Sequence, residues 1–452
     1  MVPDAAGARA RPFTWFGVAF GPRFFVWLAA GLMWLGPALI EPRFVYVMAG
    51  WDLLVLTAWL LDLLRLPAPN DLTLRRSWLA PPALSVRSRV RLTLVNESSA
   101  SIRATILDAV PCELRAEPPS VRMDAGPHEE VEAEYELVPT ARGEMAVGDA
   151  YVRYQSPLRI AERWARAPIA QQIVTYPNLD EAKHESVSVT PSQRIEMERR
   201  SRRRRGAGRS FESLREHQAG DEFRDICWTA SARRGKLVTQ LYEVERSQPI
   251  WIVIDSGRLM RARVNDVTKL DHAVNAALTL SQVALGSGDR VGLLAYGRRV
   301  GHRLPAARGS SHLRRIIEHL ALVRAEEAEA DHLLAAGRLL SDQKRRSLIV
   351  WITDVPDTAM TPEVVAAASR LMTRHLVLFV VIGQPDLRRV AMRKVTTAGE
   401  MYETAAAQEV MHRRDVLLAR LRTHGALALE ADGTLSPALV NAYLDVKGRS
   451  RL

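Results

Sequence analysis

Cysteine is scarce in this chain. Cys112 and Cys227 are its only two cysteines in 452 residues, and they lie far apart in the sequence. Neither belongs to a CxxC pair or to a His/Cys cluster with metal-ligand spacing. We therefore expect no disulfide framework, and we place the soluble part of the protein in a reducing compartment.

The sequence motifs of common enzymes are also missing. The chain has no GxxxxGK[ST] phosphate loop, no HExxH, no GxSxG and no GxGxxG that opens a helix after a strand. We therefore predict that it is not an enzyme and does not hydrolyse ATP by itself. The adjacent carboxylates Glu326 and Glu327 are expected on an exposed helix, where solvation explains them.

Length and charge leave several kinds of partner open. The chain is long enough for two or three separately packed units, and its formal net charge is +11. Residues 179–209 contain the dense arginine run 199–205 and are predicted to be a basic, solvated linker. Lipid contact is the second interpretation of this run and nucleic acid the third. Without interleaved aromatic residues, no nucleic-acid partner is expected.

Two apolar runs stand near the amino terminus. Phe24 to Ile40 has no charge, and Phe44 to Leu64 is apolar apart from Asp52 and Asp62. Each run is close to the roughly 20 residues that cross a bilayer core. We predict a transmembrane helical hairpin over 24–66 with Asp52 turned toward the partner helix or the interface. A signal peptide and a buried soluble hairpin are the competing interpretations.

The arginines around these runs predict the orientation. Residues 1–23 are expected to be a cytoplasmic amino-terminal tail, because basic residues flank both ends of the hairpin and its link has only Arg43. The predicted location is the cytoplasmic (inner) membrane of a bacterium, with the bulk of the chain on the cytoplasmic side and membrane lipid as a partner. The flanking residues are Arg9, Arg11, Arg23, Arg65, Arg75 and Arg76.

From residue 70 to 178 the hydrophobic period changes to two. Apolar residues from Val131 to Leu137 alternate with glutamates, and turn-forming clusters such as Pro118-Pro119 separate the alternating segments. This pattern is typical of half-buried antiparallel strands. We predict an immunoglobulin-like β-sandwich that acts as a spacer.

The segment from Ser210 to Leu237 is predicted to carry a helix. Asp221 is expected to cap it, Arg234 to be near its end and Gly235 to terminate it. Arg224 could stack on Trp228 on an outer face. The segment is read either as a lid on the next domain or as a partner site. The predicted buried face contains Phe223, Ile226, Cys227 and Ala230.

The rest of the chain alternates apolar strands with helical segments. Strands are predicted at 250–254, 290–296, 347–353 and 376–382. This alternation indicates an α/β domain with a doubly wound, mainly parallel sheet. Asp255 and Asp354 follow two of these strands, so both are expected at the carboxyl edge, where such sheets bind ligands.

The residues of the 210–237 segment resemble the domain-of-unknown-function 58 family. The resemblance is strongest from 199 to 260, and the order of hairpin, β domain and α/β domain agrees over nearly the whole chain. His217 and Cys227 depart from the tyrosine and aspartate that are usual in this family. The matching residues are Gly208, Phe211, Leu214, Arg215, Glu216, Gly220, Asp221, Arg224, Trp228, Ser231, Ala232 and Arg233.

The resemblance implies a von Willebrand factor A-like fold within residues 210–452. In that fold an Asp-x-Ser-x-Ser loop, a threonine and a second aspartate hold a divalent cation. Asp255 and Asp354 match the aspartates, but Gly257 and Leu259 stand where the serines belong. We therefore predict a degenerate metal site that binds Mg²⁺ weakly or not at all, with Arg258 as an alternative neutralising group. No other cofactor is expected.

The resemblance further implies a membrane-anchored interaction or adaptor protein. Its expected partner is a MoxR-type AAA+ ATPase that acts in the assembly or remodelling of protein complexes. The alternative is a metal-dependent phosphohydrolase that uses Asp255 and Asp354. The predicted partner-binding residues are Leu214, Arg215, Glu216, Gly220, Asp221, Arg224, Trp228, Ser231 and Arg233.

Overall fold

The computed structural model of the protein describes residues 3–13, 17–178, 210–218, 221, 223, 226–243, 248–264, 267–354, 361–431 and 435–448. They fall into two compact units, Met1–Asn178 and Leu179–Leu452, and each unit is described by itself. The predicted basic linker, 179–209, lies outside the described residues.

The helices of the first unit differ in length. They are α1 (Pro22–Gly31), α2 (Leu35–Ala38) and α3 (Phe44–Arg65), with a 3₁₀ turn at Leu32–Trp34 between the first two. Among the described residues, α3 alone is long and apolar enough to cross a membrane. The first apolar run is broken instead, close to the helix-disfavouring pair Gly36-Pro37.

The two acidic residues of α3 have different surroundings. A Cβ atom added at Gly31 of α1 would lie 2.9 Å from Asp52 Oδ1, so Asp52 faces the neighbouring helix as predicted. Asp62 is buried, and its Oδ2 accepts hydrogen bonds from the backbone N–H groups of Ala161, at 2.8 Å, and Ile160, at 3.3 Å. Asp62 therefore attaches the end of α3 to the β-sheet region of the same unit.

The remainder of the first unit is built from antiparallel sheets. One sheet has the order β1-β4-β5-β8, a second has the order β2-β11-β10-β6-β7 with β3 beside β11, and β12 pairs with β9. The strands are β1 (Ala6–Arg9), β2 (Arg11–Pro12), β3 (Val18–Phe20), β4 (Leu72–Trp78), β5 (Ser88–Asn96), β6 (Ile102–Asp108), β7 (Ser120–Ala125), β8 (Glu130–Leu137), β9 (Gly143–Val147), β10 (Ala150–Gln155), β11 (Ala161–Ala167) and β12 (Gln171–Thr175).

Residues 1–23, predicted to be a cytoplasmic amino-terminal tail, contain the strands β1, β2 and β3, which pair with strands of the two larger sheets. Ala6 of β1 pairs with Arg76 of β4, and Ala19 of β3 pairs with Glu162 of β11. The short β-forming stretches in this region thus satisfy their backbone hydrogen bonds at sheet edges. The amino-terminal residues belong to the β region of the first unit.

One apolar core lies between the two larger sheets. Leu74 and Leu92 of the first sheet and Ile106 and Val152 of the second are all at most 1% exposed and share a single cluster. The alternating pattern of β8 holds, with its glutamates outside and Tyr135 buried. The immunoglobulin-like assignment of this arrangement stays a prediction.

The second unit contains the predicted doubly wound α/β sheet, which the structure confirms. Its order is β19-β18-β15-β20-β21-β22, parallel except for the edge strand β19. The strands are β13 (Ser210–Glu216), β14 (Val238–Glu243), β15 (Pro249–Asp255), β16 (Arg263–Val264), β17 (Val267–Thr268), β18 (Arg290–Tyr296), β19 (Val300–Ala307), β20 (Leu348–Thr353), β21 (Leu376–Ile382) and β22 (Leu427–Ala431).

Helices cover both faces of this sheet. One face packs on α5, α6 and α11 and the other on α7, α8 and α10, because alternate side chains of the buried strands point to opposite sides. The helices are α4 (Trp228–Arg234), α5 (Lys269–Gly286), α6 (Ser310–Leu322), α7 (His332–Asp342), α8 (Thr361–Met372), α9 (Pro385–Ala391), α10 (Ala398–Thr423) and α11 (Leu435–Gly448).

The segment that carries the family resemblance is a strand–helix–strand element. Strand β13 pairs with β14, and α4 lies between them in sequence. The predicted helix start at Asp221 was wrong, because α4 begins only at Trp228. Ile226, just before it, forms a β-bridge with Thr239 instead of a helical turn. Phe223 is 76% exposed and not buried, whereas Gly235 ends α4 with a left-handed φ of 62°, as predicted.

Candidate functional site

The two aspartates of the predicted metal site meet at the carboxyl edge of the sheet. Asp255 ends β15 and Asp354 directly follows β20, and these strands are parallel neighbours. The chain reverses its direction of winding between them, which is where doubly wound sheets form their ligand crevice. Both side chains are buried, at 2% and 4% exposure.

Two buried cations neutralise Asp354. The Lys269 ammonium, at the start of α5, donates to Asp354 Oδ2, and Arg414 Nη2 of α10 donates to Oδ1 at 3.1 Å. Arg414 also lies 3.4 Å from Glu430 Oε1 of β22. Arg258, which was expected to neutralise the aspartates, instead pairs with Glu329 at 3.0 Å on the surface.

Asp255 is bound by neutral donors. Its Oδ1 accepts the backbone N–H of Gly257 at 2.7 Å, and its Oδ2 accepts the hydroxyl of Thr353. Burial raises the pKa of Asp255 to about 6, although the hydrogen bonds from Thr353 and Gly257 act in the opposite direction. The nearby carboxylate of Asp354 raises this pKa further.

An acidic loop, residues 323–331, passes beside the first aspartate. Glu326 N–H donates to Ser256 O at 2.7 Å, and Arg258 N–H donates to Ala328 O at 2.9 Å. The predicted helix at Glu326 and Glu327 was therefore wrong: α6 ends at Leu322, and α7 begins only after Asp331, whose side chain caps it.

The residues at this edge do not fit the divalent cation of an adhesion-type site. Both oxygens of each aspartate already accept hydrogen bonds from groups of the chain, and Lys269 is directly on one of them. Within the part of the chain that the structure describes, no group of three or more His, Cys, Asp or Glu residues could hold a metal ion. Mg²⁺ requires oxygen ligands in near-octahedral geometry, and a lysine supplies none.

A hydrogen-bonded aromatic chain that the sequence did not reveal lies buried in the same unit. Trp351 Nε1 donates to Tyr296 Oη at 2.6 Å, and that hydroxyl lies 2.8 Å from His332 Nδ1. Because the indole can only donate, the tyrosine hydroxyl is left to donate to an unprotonated Nδ1. Burial lowers the pKa of His332 to about 4, so the imidazole is neutral.

The predicted partner-binding residues of β13 form part of a polar network. Arg215 Nη2 donates to Asp221 Oδ1 at 2.6 Å, and Thr239 Oγ1 donates to Asp221 Oδ2 at 3.3 Å. The N–H of Gln218 is the main reason that the pKa of Asp221 is lowered, with Arg215 adding to it. His217 Nδ1 lies 2.9 Å from Thr239 Oγ1. Sequence analysis missed Thr239, which lies on the opposite strand.

The other predicted residues differ in their exposure to solvent. Ser231 is buried, accepts the N–H of Val238 at 2.9 Å and donates to Cys227 O, so it supports α4 from within. Leu214 is half-buried, and Glu216 is exposed and pairs with Lys236 at 3.2 Å.

One aromatic and one basic side chain of α4 are exposed to solvent. Trp228 is 66% exposed, and Arg233 of the same helix is exposed too. Gly220 and Arg224, and with them the predicted stacking of Arg224 on Trp228, lie outside the described residues. Of the predicted residues that the structure describes, Trp228, Arg233 and Glu216 are exposed, whereas Arg215 and Asp221 pair with each other.

The opposite pKa shifts of Asp255 and His332 predict how stability depends on pH. Asp255 favours folding while it is protonated, and this contribution is lost as pH rises from 3.8 through about 6. His332 favours folding while it is neutral, and this contribution is lost as pH falls from 6.5 through about 4. The two slopes oppose each other between those values.

Asp255→Asn removes the titration of Asp255 and should therefore leave the pH dependence of stability that His332 contributes. The free energy of unfolding should rise more steeply with pH across this window than in the natural protein, by up to about 3 kcal/mol. His332→Gln should give the opposite change of slope. Urea unfolding of the full-length protein in detergent at several pH values measures both, and profiles that superimpose on the natural one would show the assignment to be wrong.

This chain is similar to a known protein family over part of its length. Residues 213–405 match the family model described as "Protein of unknown function DUF58". Similar proteins include the uncharacterized protein YeaD of Bacillus subtilis (strain 168), 26% identical over 48% of this chain and 52% of its own length. The uncharacterized protein Rv1480 of Mycobacterium tuberculosis is 27% identical over 40% of this chain and 56% of its own length. The chain thus spans about half the length of the curated relatives it matches.

Similar solved structures include the conserved hypothetical protein BatB from Bacteroides thetaiotaomicron and the SpRpn10 VWA domain. The first is 13% identical with a TM-score of 0.30 and covers 45% of this chain and 100% of its own. The second is 13% identical with a TM-score of 0.27 and covers 43% of this chain and 95% of its own. Over residues 213–405, this chain is thus similar to proteins of the DUF58 family.

Proposed function

We propose that the protein is a membrane-anchored, non-enzymatic adaptor that binds a MoxR-type AAA+ ATPase. The observation that carries the interaction role is Trp228, a large aromatic side chain that is 66% exposed on a short helix. Exposed tryptophans are costly unless covered, and tryptophan and arginine are enriched where proteins bind one another. The Arg215–Asp221 pair joins β13 to a residue that precedes this helix in the sequence.

The composition of α3 supports the anchor. The helix is apolar and long enough to cross a bilayer, and very little of it is buried within the protein. Large apolar side chains such as Leu53 and Leu64 are 65% and 70% exposed. Lipid acyl chains would cover this surface, whereas water would leave it uncompensated.

The two native cysteines report sidedness. Cys112 is exposed, and hydrogen bonds from the Ala230 N–H and the Thr229 hydroxyl lower the pKa of Cys227. A membrane-impermeant maleimide should label both residues in inverted inner-membrane vesicles and neither in intact spheroplasts. Cys112→Ser and Cys227→Ser assign each signal. Labelling from the outer side would contradict the cytoplasmic location.

Capture of the partner tests the adaptor role. The full-length tagged protein should recover an AAA+ ATPase of MoxR type from detergent-solubilised membranes, identified by mass spectrometry, with and without ATP. Trp228→Ala should reduce this recovery by at least about tenfold, a loss typical of a central interface residue. Recovery of no AAA+ protein would count against the proposal.

Among the described residues of the carboxyl edge, no feature favours the phosphohydrolase alternative. The Asp354 oxygens accept hydrogen bonds from Lys269 and Arg414, and the Asp255 oxygens accept from Gly257 and Thr353. Neither carboxylate therefore has a free oxygen pair directed at a substrate. A phosphatase screen with divalent ions, compared with Asp354→Asn, should show no activity that depends on Asp354.

A further inference from the structure

We propose that the Lys269 ammonium is a built-in cation that takes the place of a divalent metal ion between the carboxyl ends of β15 and β20. The domain would then keep its carboxyl edge neutralised without any metal. A divalent, oxygen-preferring cation such as Mn²⁺ would bind there only after Lys269 is removed.

The position of Lys269 is the first support. Its side chain is 0% exposed, and its ammonium is in direct contact with Asp354 Oδ2. Its backbone is held as well, because Lys269 N–H donates to Ala262 O at 2.8 Å and Thr268 caps the same helix. A lysine is rarely buried completely unless its charge is paired.

The balance of charge at the site is the second support. Asp354 contacts two fixed cations, Lys269 on one carboxylate oxygen and Arg414 on the other, and Arg414 is shared with Glu430. A divalent ion at Asp354 would therefore lie beside two positive charges that are already in place. Repulsion in a buried site of low effective dielectric would exclude it.

The ligand atoms are the third support. An ion at this position would need free carboxylate oxygens, yet Lys269 and Arg414 each take one oxygen of Asp354. Removing the lysine side chain takes away its hydrogen bond to Asp354 Oδ2 and its positive charge. Lys269→Ser places a hydroxyl at this position, a ligand type that Mg²⁺ and Mn²⁺ accept.

Mn²⁺ binding to the full-length protein in detergent tests this proposal. Electron paramagnetic resonance of free Mn²⁺ should show no saturable binding to the natural protein. Lys269→Ser should bind one Mn²⁺ at least about tenfold more tightly, and Lys269→Ser with Asp354→Asn should lose that gain. Lys236→Ser, which removes an exposed lysine, is the matched control and should gain nothing.

Two outcomes would overturn the proposal. One is stoichiometric Mn²⁺ binding by the natural protein that Asp354→Asn abolishes. The other is a Lys269→Ser protein that retains slow hydrogen exchange in residues 249–255 and still gains no affinity for Mn²⁺. The first outcome would overturn the proposal even if Lys269→Ser does not fold, because the proposal requires that the natural protein binds no Mn²⁺ at this site.

Discussion

Asp108→Ala is expected to destabilise the first unit by about 3–5 kcal/mol. Asp108 and Arg76 are both fully buried, and Arg76 Nε donates to Asp108 Oδ2 at 2.9 Å while its Nη2 contacts Oδ1. Tyr135 Oη also donates to Asp108 Oδ2, at 2.7 Å. Removing the carboxylate leaves a guanidinium without its counterion in the core between two sheets.

Because the Arg76–Asp108 pair joins the two sheets, its loss should destabilise both of them. Arg76 lies on β4 of one sheet and Asp108 on β6 of the other. Arg76 further donates to the carbonyls of Ile169, at 2.9 Å, and Gly148, at 2.8 Å. Hydrogen exchange of the full-length protein should therefore speed up in β4, β6 and β10 together.

Asp124→Ala is the matched control for Asp108→Ala. Asp124 is 79% exposed and lies 3.9 Å from Arg103, so its removal should change stability by no more than about 1 kcal/mol. The double variant Arg76→Met with Asp108→Leu should recover much of the loss, because no charge is then buried alone. Equal effects of Asp108→Ala and Asp124→Ala in urea unfolding would show that the buried pair is not important.

Asp354→Ala is expected to destabilise the second unit by a similar amount, about 3–5 kcal/mol. Two cations, Lys269 at 0% and Arg414 at 7% exposure, would lose their shared carboxylate. Glu430, at 3.4 Å from Arg414, would offset part of their charge. Hydrogen exchange in residues 348–353 and 269–286 of the full-length protein measures this loss.

The exposed Asp386 provides the control. Its pairing with Arg389 is on the surface, where an ion pair contributes no more than about 1 kcal/mol, so Asp386→Ala should have little effect. Lys269→Met combined with Asp354→Leu should cost less than the sum of the single changes, because the two residues are in contact. Additive effects would contradict the direct contact between them.

The sequence predicted the α/β sheet well because its signal is local. The strands predicted at 250–254 and 347–353 are present, and residues 250–254 and 348–353 within them are all buried. The meeting of Asp255 and Asp354 follows from a general property of parallel sheets, so it could be predicted without a structure. The signature motif of the 210–237 segment also identified the family that the chain matches.

The parts that the sequence did not predict depend on contacts between distant residues. Lys269 resembles an ordinary solvated lysine at a helix start, and only its contact with Asp354, 85 residues later, shows its role. The helix expected from Asp221 is shortened by the bridge between Ile226 and Thr239. Strand β1 looks like a tail until it pairs with β4. Tertiary hydrogen bonds outweigh local propensity in each case.

The most direct test of the adaptor account is a binding titration between the purified full-length protein and the AAA+ ATPase recovered with it. The account predicts saturable binding that Trp228→Ala weakens by at least about tenfold. Trp164→Ala, which removes another exposed tryptophan, at 43%, should leave the affinity unchanged. Absence of binding, or an equal affinity for the Trp228→Ala and natural proteins, would contradict the account.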